Sequence, residues 1–472
     1  VPYYLVGPGR AVVQEVYKKY KINWGEGMMV YFDKNKCLWY NRQSEIDDNG
    51  YKAAKLIYKS KAQEKKLKKH YADVISYITG FRRDLAPAVL KGLDDTQLST
   101  TFERVLKIYD IFWSVATLAE LAGYGATAHL QAHQENIPLF PNADPLHILT
   151  SAADFTFYQK EELEFLKLIG KFHKNFHGKK SELAFLKHTK KYNWLLNNFA
   201  SGKPLKPDYF YKRAAQYLKK DSKPLQTAAR IKKELLETNR KRKKITALIK
   251  DPETKFYARI AGDALAWHDD RKGRQMRMQT VLHYFLQEFS RRFNLPENKL
   301  VQLLPNELKA LIRKQKTIKD FPIVSRQKLM ITYVTIKNLH FVQGKEAKQI
   351  VNAYQRLQQS NDKTGHLQGL VASTGNRAEI TGKVKVVRDA SELNKMREGF
   401  ILIAQFTSPD YIMAIRKASA IITDIGGLNS HAAVVSRELG IPCIVNTKLA
   451  TKVFKDGDFI KIDVKQGRIE KV

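Results

Sequence analysis

Apolar residues recur at three- and four-residue spacings from about residue 51 to about 360, and the period then changes to short β-rich runs. Stretches such as AAKLIYKSKAQEKKLKKHYADVISYITGF, TTFERVLKIYDIFWSVATLAELAGYG and QTVLHYFLQEFSRRF present one apolar helical face each. Pro138, Pro141, Pro145, Pro204, Pro207, Pro296 and Pro305 punctuate them. This change of period is the strongest constraint on the fold, because one layer architecture cannot bury both patterns. A large all-helical domain is expected first, in one or two lobes and without a fixed-period repeat.

After Ser360 the texture differs. NDKTGHLQG (361–369) reads as a polar linker, and the runs LVAS, ITGKVKVV, ILIAQ, AIIT, IPCIV and FIKIDV read as strands. Helical patterns at 409–418 and 430–439 sit between some of them, which predicts a compact α/β domain. At the other end, residues 1–48 mix turn signals with MMVYF (28–32) and CLWY (37–40) around Asp33-Lys34-Asn35-Lys36, a hairpin pattern. The turn signals of this stretch end in a polar patch at Asp47-Asp48-Asn49-Gly50. The expected organisation is therefore α plus α/β: a small β-containing element or remnant of a preceding domain (1–48), a helical acceptor or substrate domain (49–360), a linker (361–368) and a C-terminal domain (369–472).

Composition narrows the partners. With 82 Lys and Arg against 47 Asp and Glu the chain carries a formal charge of +35, which favours polyanions and phosphorylated small molecules. The excess is scattered lysine, so a solvated basic surface accounts for it as well. Cys37 and Cys443 are the only cysteines and lie far apart, which suits a reducing cytoplasm and gives no cysteine-based zinc site. No run of about 18 apolar residues marks a membrane span. The first residues, VPYYLVGPGR, lack an initiating Met and a signal pattern, as expected of a fragment or a processed chain.

One stretch carries chemistry. In TDIGGLNSHAAVVSRELGIPCIV (423–445), AIIT supplies a buried strand, Asp424 to Asn429 a turn, and Ser430 an N-cap for a helix starting at His431. Gly426 and Gly427 let a ligand approach the backbone. The first turn of a helix offers N–H groups without helical partners and a partial positive charge, a ready anion site. That positive end also disfavours an imidazolium and leaves the neutral, nucleophilic ring. An imidazole here can accept a phosphoryl group whose charge those N–H groups stabilise, splitting one displacement into two. The glycines lack the spacing of a Walker loop or a dinucleotide fingerprint.

The same stretch closely resembles the phosphohistidine swivelling domain of the phosphoenolpyruvate-utilising enzymes, a group that includes phosphoenolpyruvate synthase, pyruvate phosphate dikinase, rifampin phosphotransferase and phenylphosphate synthase. The hallmark is T-x-x-G-G, then S-H-A-A, then R-E-L-G-I-P. The resemblance extends to TSPDYIMAIRKASAI (407–421), with its Thr-x-Pro start, and to GLVASTGNRAEITGKVKVV (369–387). It implies a β/β/α swivelling domain in which His431 is phosphorylated and Thr423 hydrogen-bonds the phosphohistidine. Gly426 and Gly427 would form the loop, Ser430 and Ala432 would flank the site, and Arg437 and Glu438 would support it or serve structure. The implied activity is dikinase-type phosphotransfer from an ATP-grasp site to a small-molecule acceptor. ATP and Mg2+ are then expected at an ATP-grasp domain or subunit that is not visible in this chain, and no cofactor or metal site is assigned to the chain itself. The order of a helical domain before the histidine domain is similar to rifampin phosphotransferase, as is residues 269–312 to the last part of its helical domain. The alternative is a non-catalytic scaffold that binds nucleic acid or another polyanion and keeps a relic swivelling domain.

Other residues stand out less. His129 and His133 have the i, i+4 spacing of metal ligands but no third ligand in view. His268-Asp269-Asp270 reads as a solvated loop, with contact to substrate or magnesium as the other reading. The run Arg240 to Lys244 reads as a solvated helix end, with phosphate contact as the alternative. Tyr109, Phe112 and Trp113 fall at core spacing and could also line an acceptor pocket. Cys443 reads as packing.

Overall fold

The structure, a computed structural model, describes residues 2–32, 36–83, 85–141, 144–172, 178–197, 202–220, 223–359, 367–375, 377–388, 390–408, 411–427 and 430–472. The chain forms two compact units, residues 1–349 and 350–472. The division falls inside the helix Gly344–Gln359. Most of the expected linker 361–368 lies outside the described residues, and Leu367–Gln368 form a strand.

The first unit is built on long helices: α1 (Gln43–Ile57), α2 (Asp95–Ala132), α3 (Pro224–Leu248) and α4 (Pro252–Phe293). The 38 residues of α2 start from a capping box, in which the Asp94 carboxylate accepts from Gln97 N and Asp94 N donates to Gln97 Oε1. Asp251 caps α4 by accepting from Thr254 N at 2.7 Å, with Pro252 in the first turn. The two helices pack antiparallel. Phe102 meets Phe285 and Phe289 at 5.3 and 5.2 Å between ring centroids, while Gly123 faces Ala264 and Leu265.

Helix α1 crosses α2 where two glycines meet. A Cβ on Gly125 would lie 2.2 Å from the Gly50 carbonyl carbon, and one on Gly50 would lie 2.6 Å from Gly125 N. Gly50 is therefore the contact point of two backbones inside α1, not the end of a turn as its Asp-Asp-Asn-Gly setting suggests. Gly125→Ala is expected to destabilise this unit by about 3 kcal/mol, since neither backbone can yield. A fall in the urea midpoint checks it; an unchanged midpoint would show that the helices separate freely.

A second departure concerns strands. β1 (Gly27–Phe32) and β2 (Lys36–Asn41) form the expected antiparallel pair, their connecting turn lying outside the described residues. β1 also pairs with β3 (Leu329–Val334), which pairs with β4 (Leu339–Gln343), giving the sheet order β2-β1-β3-β4. Val30 faces Ile331 across some 300 residues of chain. The strands at 329–343 lie in the stretch expected to be all-helical, and the residues before β1 are mainly helical, with α-helices at Pro2–Arg10 and Val16–Tyr20. A six-residue apolar run such as LMITYV has no period long enough to separate strand from helix, so the pairing partner decides. Among the described residues the helices bury a large core along α2 and α4 and a smaller one around Phe165, Phe185, Trp194 and Phe210.

The second unit is an eight-stranded sheet ordered β5-β12-β11-β7-β8-β9-β10-β6 among the described residues. Its strands are β5 (Leu367–Gln368), β6 (Leu370–Ser373), β7 (Glu379–Val387), β8 (Ile401–Ala404), β9 (Ala420–Thr423), β10 (Cys443–Val445), β11 (Phe459–Asp463) and β12 (Arg468–Lys471). The central β7, β8, β9 and β10 run parallel, and β8 and β9 are buried at every residue. Their continuous Ile, Leu and Ala runs follow from that burial on both faces. Helix α5 (His431–Leu439) connects β9 to β10. The six predicted strands all form; β5 and β12 were not anticipated.

Candidate functional site

In parallel sheets, ligands gather at the carboxyl ends of the strands. Here the ends of β8 and β9 lie side by side, with Ala404 paired to Thr423. The ladder runs past both strands, because Asp424 N donates to Ala404 O at 3.1 Å and Ile425 N to Gln405 O at 2.8 Å. Thr447 N and Oγ1 both donate to Thr423 O. The buried Asp424 carboxylate accepts from Thr447 Oγ1, from Thr451 N and from Thr451 Oγ1. These bonds hold the root of the following loop rigidly, a job that sequence alone did not give to Asp424.

Beyond Asp424 the chain turns through Gly426, whose φ of +134° is open to glycine and strained for any other residue. A Cβ there would also come within 2.9 Å of Ser430 Cβ and Oγ. Gly427 differs: among the described residues a Cβ on it would meet nothing within 4 Å. Gly426→Ala is therefore expected to disturb the helix start and abolish any activity of the site, while Gly427→Ala keeps the fold. Circular dichroism and thermal melting of the two variants check the contrast; equal melting would remove the role given to Gly426.

Ser430 then caps α5. It has extended backbone angles, and its hydroxyl accepts from Ala433 N at 3.4 Å. At the other end Gly440 takes φ +64°, and Ile441 N donates back to Ser436 O. Ala432, Ala433 and Val435 are buried, whereas His431 is half-buried in the first turn. Its Nδ1 lies 2.8 Å from Thr407 Oγ1, a hydroxyl from the segment just after β8. Thr423 is wholly buried, and among the described residues its Oγ1 has no hydrogen-bond partner. That oxygen stands 3.8 Å from where a Gly426 Cβ would be, beneath the loop.

The structure thus gathers Thr423, Gly426, Gly427, Ser430, Ala432 and His431 at one strand-to-helix junction. Arg437 sits one and a half turns on and donates to Ala372 O of β6 at 3.4 Å, tying α5 to the edge of the sheet. The side chain of Glu438 lies outside the described residues. Thr407 is the residue that sequence reasoning passed over. Its Thr-x-Pro setting was visible, but nothing local shows that a residue 24 positions upstream meets the imidazole. Cys443 is buried, and burial pushes its thiol up to about 12, which makes it inert packing.

The remaining candidates resolve differently. His129 Nε2 lies 3.3 Å from Thr254 Oγ1, and its ring stacks on Tyr257. Among the described residues no group of three or more His, Cys, Asp or Glu could hold a metal ion. His268-Asp269-Asp270 is not a loop: it lies inside α4 with His268 and Asp269 buried. Asp269 Oδ2 accepts from Phe157 N at 2.6 Å. Arg240, Lys241, Lys243 and Lys244 are exposed along α3, while Arg242 turns inward and donates to Ser151 O. Tyr109, Phe112 and Trp113 are buried in the large core. No described helix is long and apolar enough to cross a membrane.

Comparison with known proteins places this junction. Residues 396–467 match the family described as PEP-utilising enzyme, mobile domain. The chain is 52% identical over 105 residues to a probable phosphoenolpyruvate synthase of Pyrococcus horikoshii, covering 22% of this chain and 12% of that protein. It is 51% identical over 105 residues to a phosphoenolpyruvate synthase of Pyrococcus furiosus, with the same coverage. It is also 39% identical over 127 residues to the uncharacterized phosphotransferase YvkC of Bacillus subtilis, covering 27% of this chain and 15% of that protein. The chain thus spans less than a sixth of the length of these relatives.

Proposed function

From the premise that the C-terminal unit belongs to the phosphoenolpyruvate-utilising enzymes as their mobile domain, we propose that this chain carries a phosphoryl group on His431 between an ATP-grasp site and a small-molecule acceptor. The observation that carries the reading is the Thr407–His431 hydrogen bond at the mouth of two parallel strands. With Nδ1–H donating to Thr407 Oγ1, the lone pair of Nε2 is the nucleophile. Attack on phosphorus forms an Nε2–P bond as the bond to the donor's leaving oxygen breaks. The N–H groups of the first turn of α5 and the buried Thr423 hydroxyl then hydrogen-bond the new phosphoryl oxygens. Gly427, without a side chain to block approach, leaves room for the donor and later for the acceptor. The nucleotide and its magnesium would be held by an ATP-grasp domain or subunit, and the acceptor by the helical unit.

The test needs no partner. Phosphoramidate phosphorylates imidazoles directly, and the full chain treated with it is expected to gain one acid-labile, alkali-stable phosphate on His431 Nε2. Phosphorus NMR distinguishes the Nε2 from the Nδ1 isomer. Thr407→Val is expected to slow labelling about two- to ten-fold, the value of one hydrogen bond, and to admit some Nδ1 product. Labelling of other histidines at the same rate as His431 would contradict the proposal.

A further inference from the structure

Helix α3 presents an exposed basic surface that phosphotransfer at His431 does not use. Arg240, Lys241, Lys243 and Lys244 all point to solvent, and among the described residues none of them meets a carboxylate. The preceding turns of the same helix differ: Arg230 pairs with Glu234 and Lys233 with Glu237, each at 3.8 Å. Like charges three or four positions apart on a helix repel by a few tenths of a kcal/mol per pair. Arg240 opposes Lys243 and Lys244 in this way, and Lys241 opposes Lys244. The helix dipole does not offset that repulsion, because it acts within the last turn and the last turn of α3 holds no basic residue. Nor can α3 rotate to disperse the charges. Arg242, in the middle of the run, is buried and donates to Ser151 O and Asn239 Oδ1, while Ile245 and Ile249 lie in the large core. The run is therefore held outward without an internal counterion.

The arrangement of the four cations narrows the polyanion. At about 100° per residue they fan over roughly 160° of the helix, with Lys243 and Lys241 on the two flanks and Arg240 and Lys244 between them. A lipid surface is flat and meets one side of a helix. It also needs a continuous apolar stripe, whereas the exposed leucines at either end of the run, Leu236 and Leu248, stand alone. Single strands are held by aromatic side chains on which bases stack, and residues 224–250 contain none. The major groove of A-form RNA is too narrow for side chains to read. The major groove of B-form DNA is about 12 Å wide, admits an α-helix and carries a row of phosphates along each side. Cations on both flanks of one helix match those two rows.

We propose that the outer face of α3 lies along the major groove of double-stranded DNA, with Lys241 and Lys243 reaching opposite phosphate rows and Arg240 and Lys244 directed into the groove. The probe is a fluorescent duplex of about 20 base pairs, its anisotropy titrated with the full chain from about 50 to 200 mM salt. Each phosphate neutralised adds about 0.9 to the slope of log K against log salt. Changing Arg240, Lys241, Lys243 and Lys244 together to Gln is expected to lower that slope by about 2 or more, and Lys241→Gln or Lys243→Gln alone by about 1. Glutamine is a good helix former, so circular dichroism should be unchanged. Changing Lys65, Lys66, Lys69 and Lys91, also exposed, to Gln removes the same charge elsewhere on the helical unit and should leave the slope as in the wild type. His431→Ala should bind the duplex like the wild type, which separates this surface from the phosphoryl carrier. Equal loss of slope in the two four-fold variants would assign the binding to bulk charge and overturn the proposal. So would a single strand, an A-form RNA duplex or phosphatidylglycerol vesicles bound as tightly as the DNA duplex.

Discussion

His431→Ala is expected to leave no acid-labile label on the chain, whether the donor is phosphoramidate or β-labelled ATP with an ATP-grasp partner. On the proposed reading the imidazole itself carries the phosphoryl group, so its removal abolishes the label completely. Thr407 and Ser430 carry hydroxyls near the ring, but a phosphoserine or phosphothreonine would survive acid, so residual label is classified by its lability. The fold should be intact: His431 is half-buried at a helix start whose cap is Ser430, and alanine is well tolerated in a first turn. Unchanged melting together with lost label is the expected pair. Acid-labile label persisting in the variant would move the carrier role to another histidine.

Arg213→Ala is expected to destabilise the helical unit by about 3–5 kcal/mol at neutral pH. Arg213 Nη1 donates to both oxygens of Glu161 at 2.8 and 2.7 Å, and Nη2 donates to Glu162. His188 Nε2 lies 2.8 Å from Glu161 Oε1, and the guanidinium packs 4.1 Å over the Phe165 ring. Both carboxylates and the guanidinium are buried in the smaller core, so removing the cation strands two charges away from water. The pH dependence follows from Glu161. Burial alone would raise its carboxyl, but the charge of Arg213, helped by His188, holds it below the ordinary carboxylate range. In the wild type this contributes stability above the unfolded-state value, about 4.3, which is lost as pH falls through the lower folded value. Without Arg213 burial dominates and the sign reverses, so the variant loses stability as pH rises. The gap in urea midpoint between the two should therefore widen from about pH 4.5 to 7. Arg213→Lys should fall between them, because an ammonium cannot pair with both carboxylates in the same fork geometry. A gap independent of pH would assign the loss to packing over Phe165 alone.

Much of the C-terminal unit was legible because its signals are local. AIIT, ILIAQ and ITGKVKVV are buried-strand runs bounded by turn residues, and they form β9, β8 and β7. Ser430 and Gly440 bracket α5 as cap chemistry requires. The helical unit was legible only in outline. Periodicity found α2 and α4 but not that Gly50 and Gly125 meet, nor that LMITYV would pair with β1. His268-Asp269-Asp270 looked like a loop because charge suggests solvent, yet Glu120 and the Phe157 N–H supply interior partners.

What the sequence determined by itself is the strand-to-helix junction: a strand, two glycines, a capping serine and a histidine, each fixed by backbone needs within a few residues of its neighbours. What only the tertiary structure decided is the company those residues keep. Thr407 reaches His431 because β8 and β9 lie parallel and adjacent, which depends on the order of strands in the sheet. Arg271 is buried inside α4 because Trp113 and Glu120 of α2 meet it there. Hydrophobic period and cap chemistry are short-range and can be read along the chain; which surfaces meet is set by the packing of whole elements, and a sequence carries that only collectively.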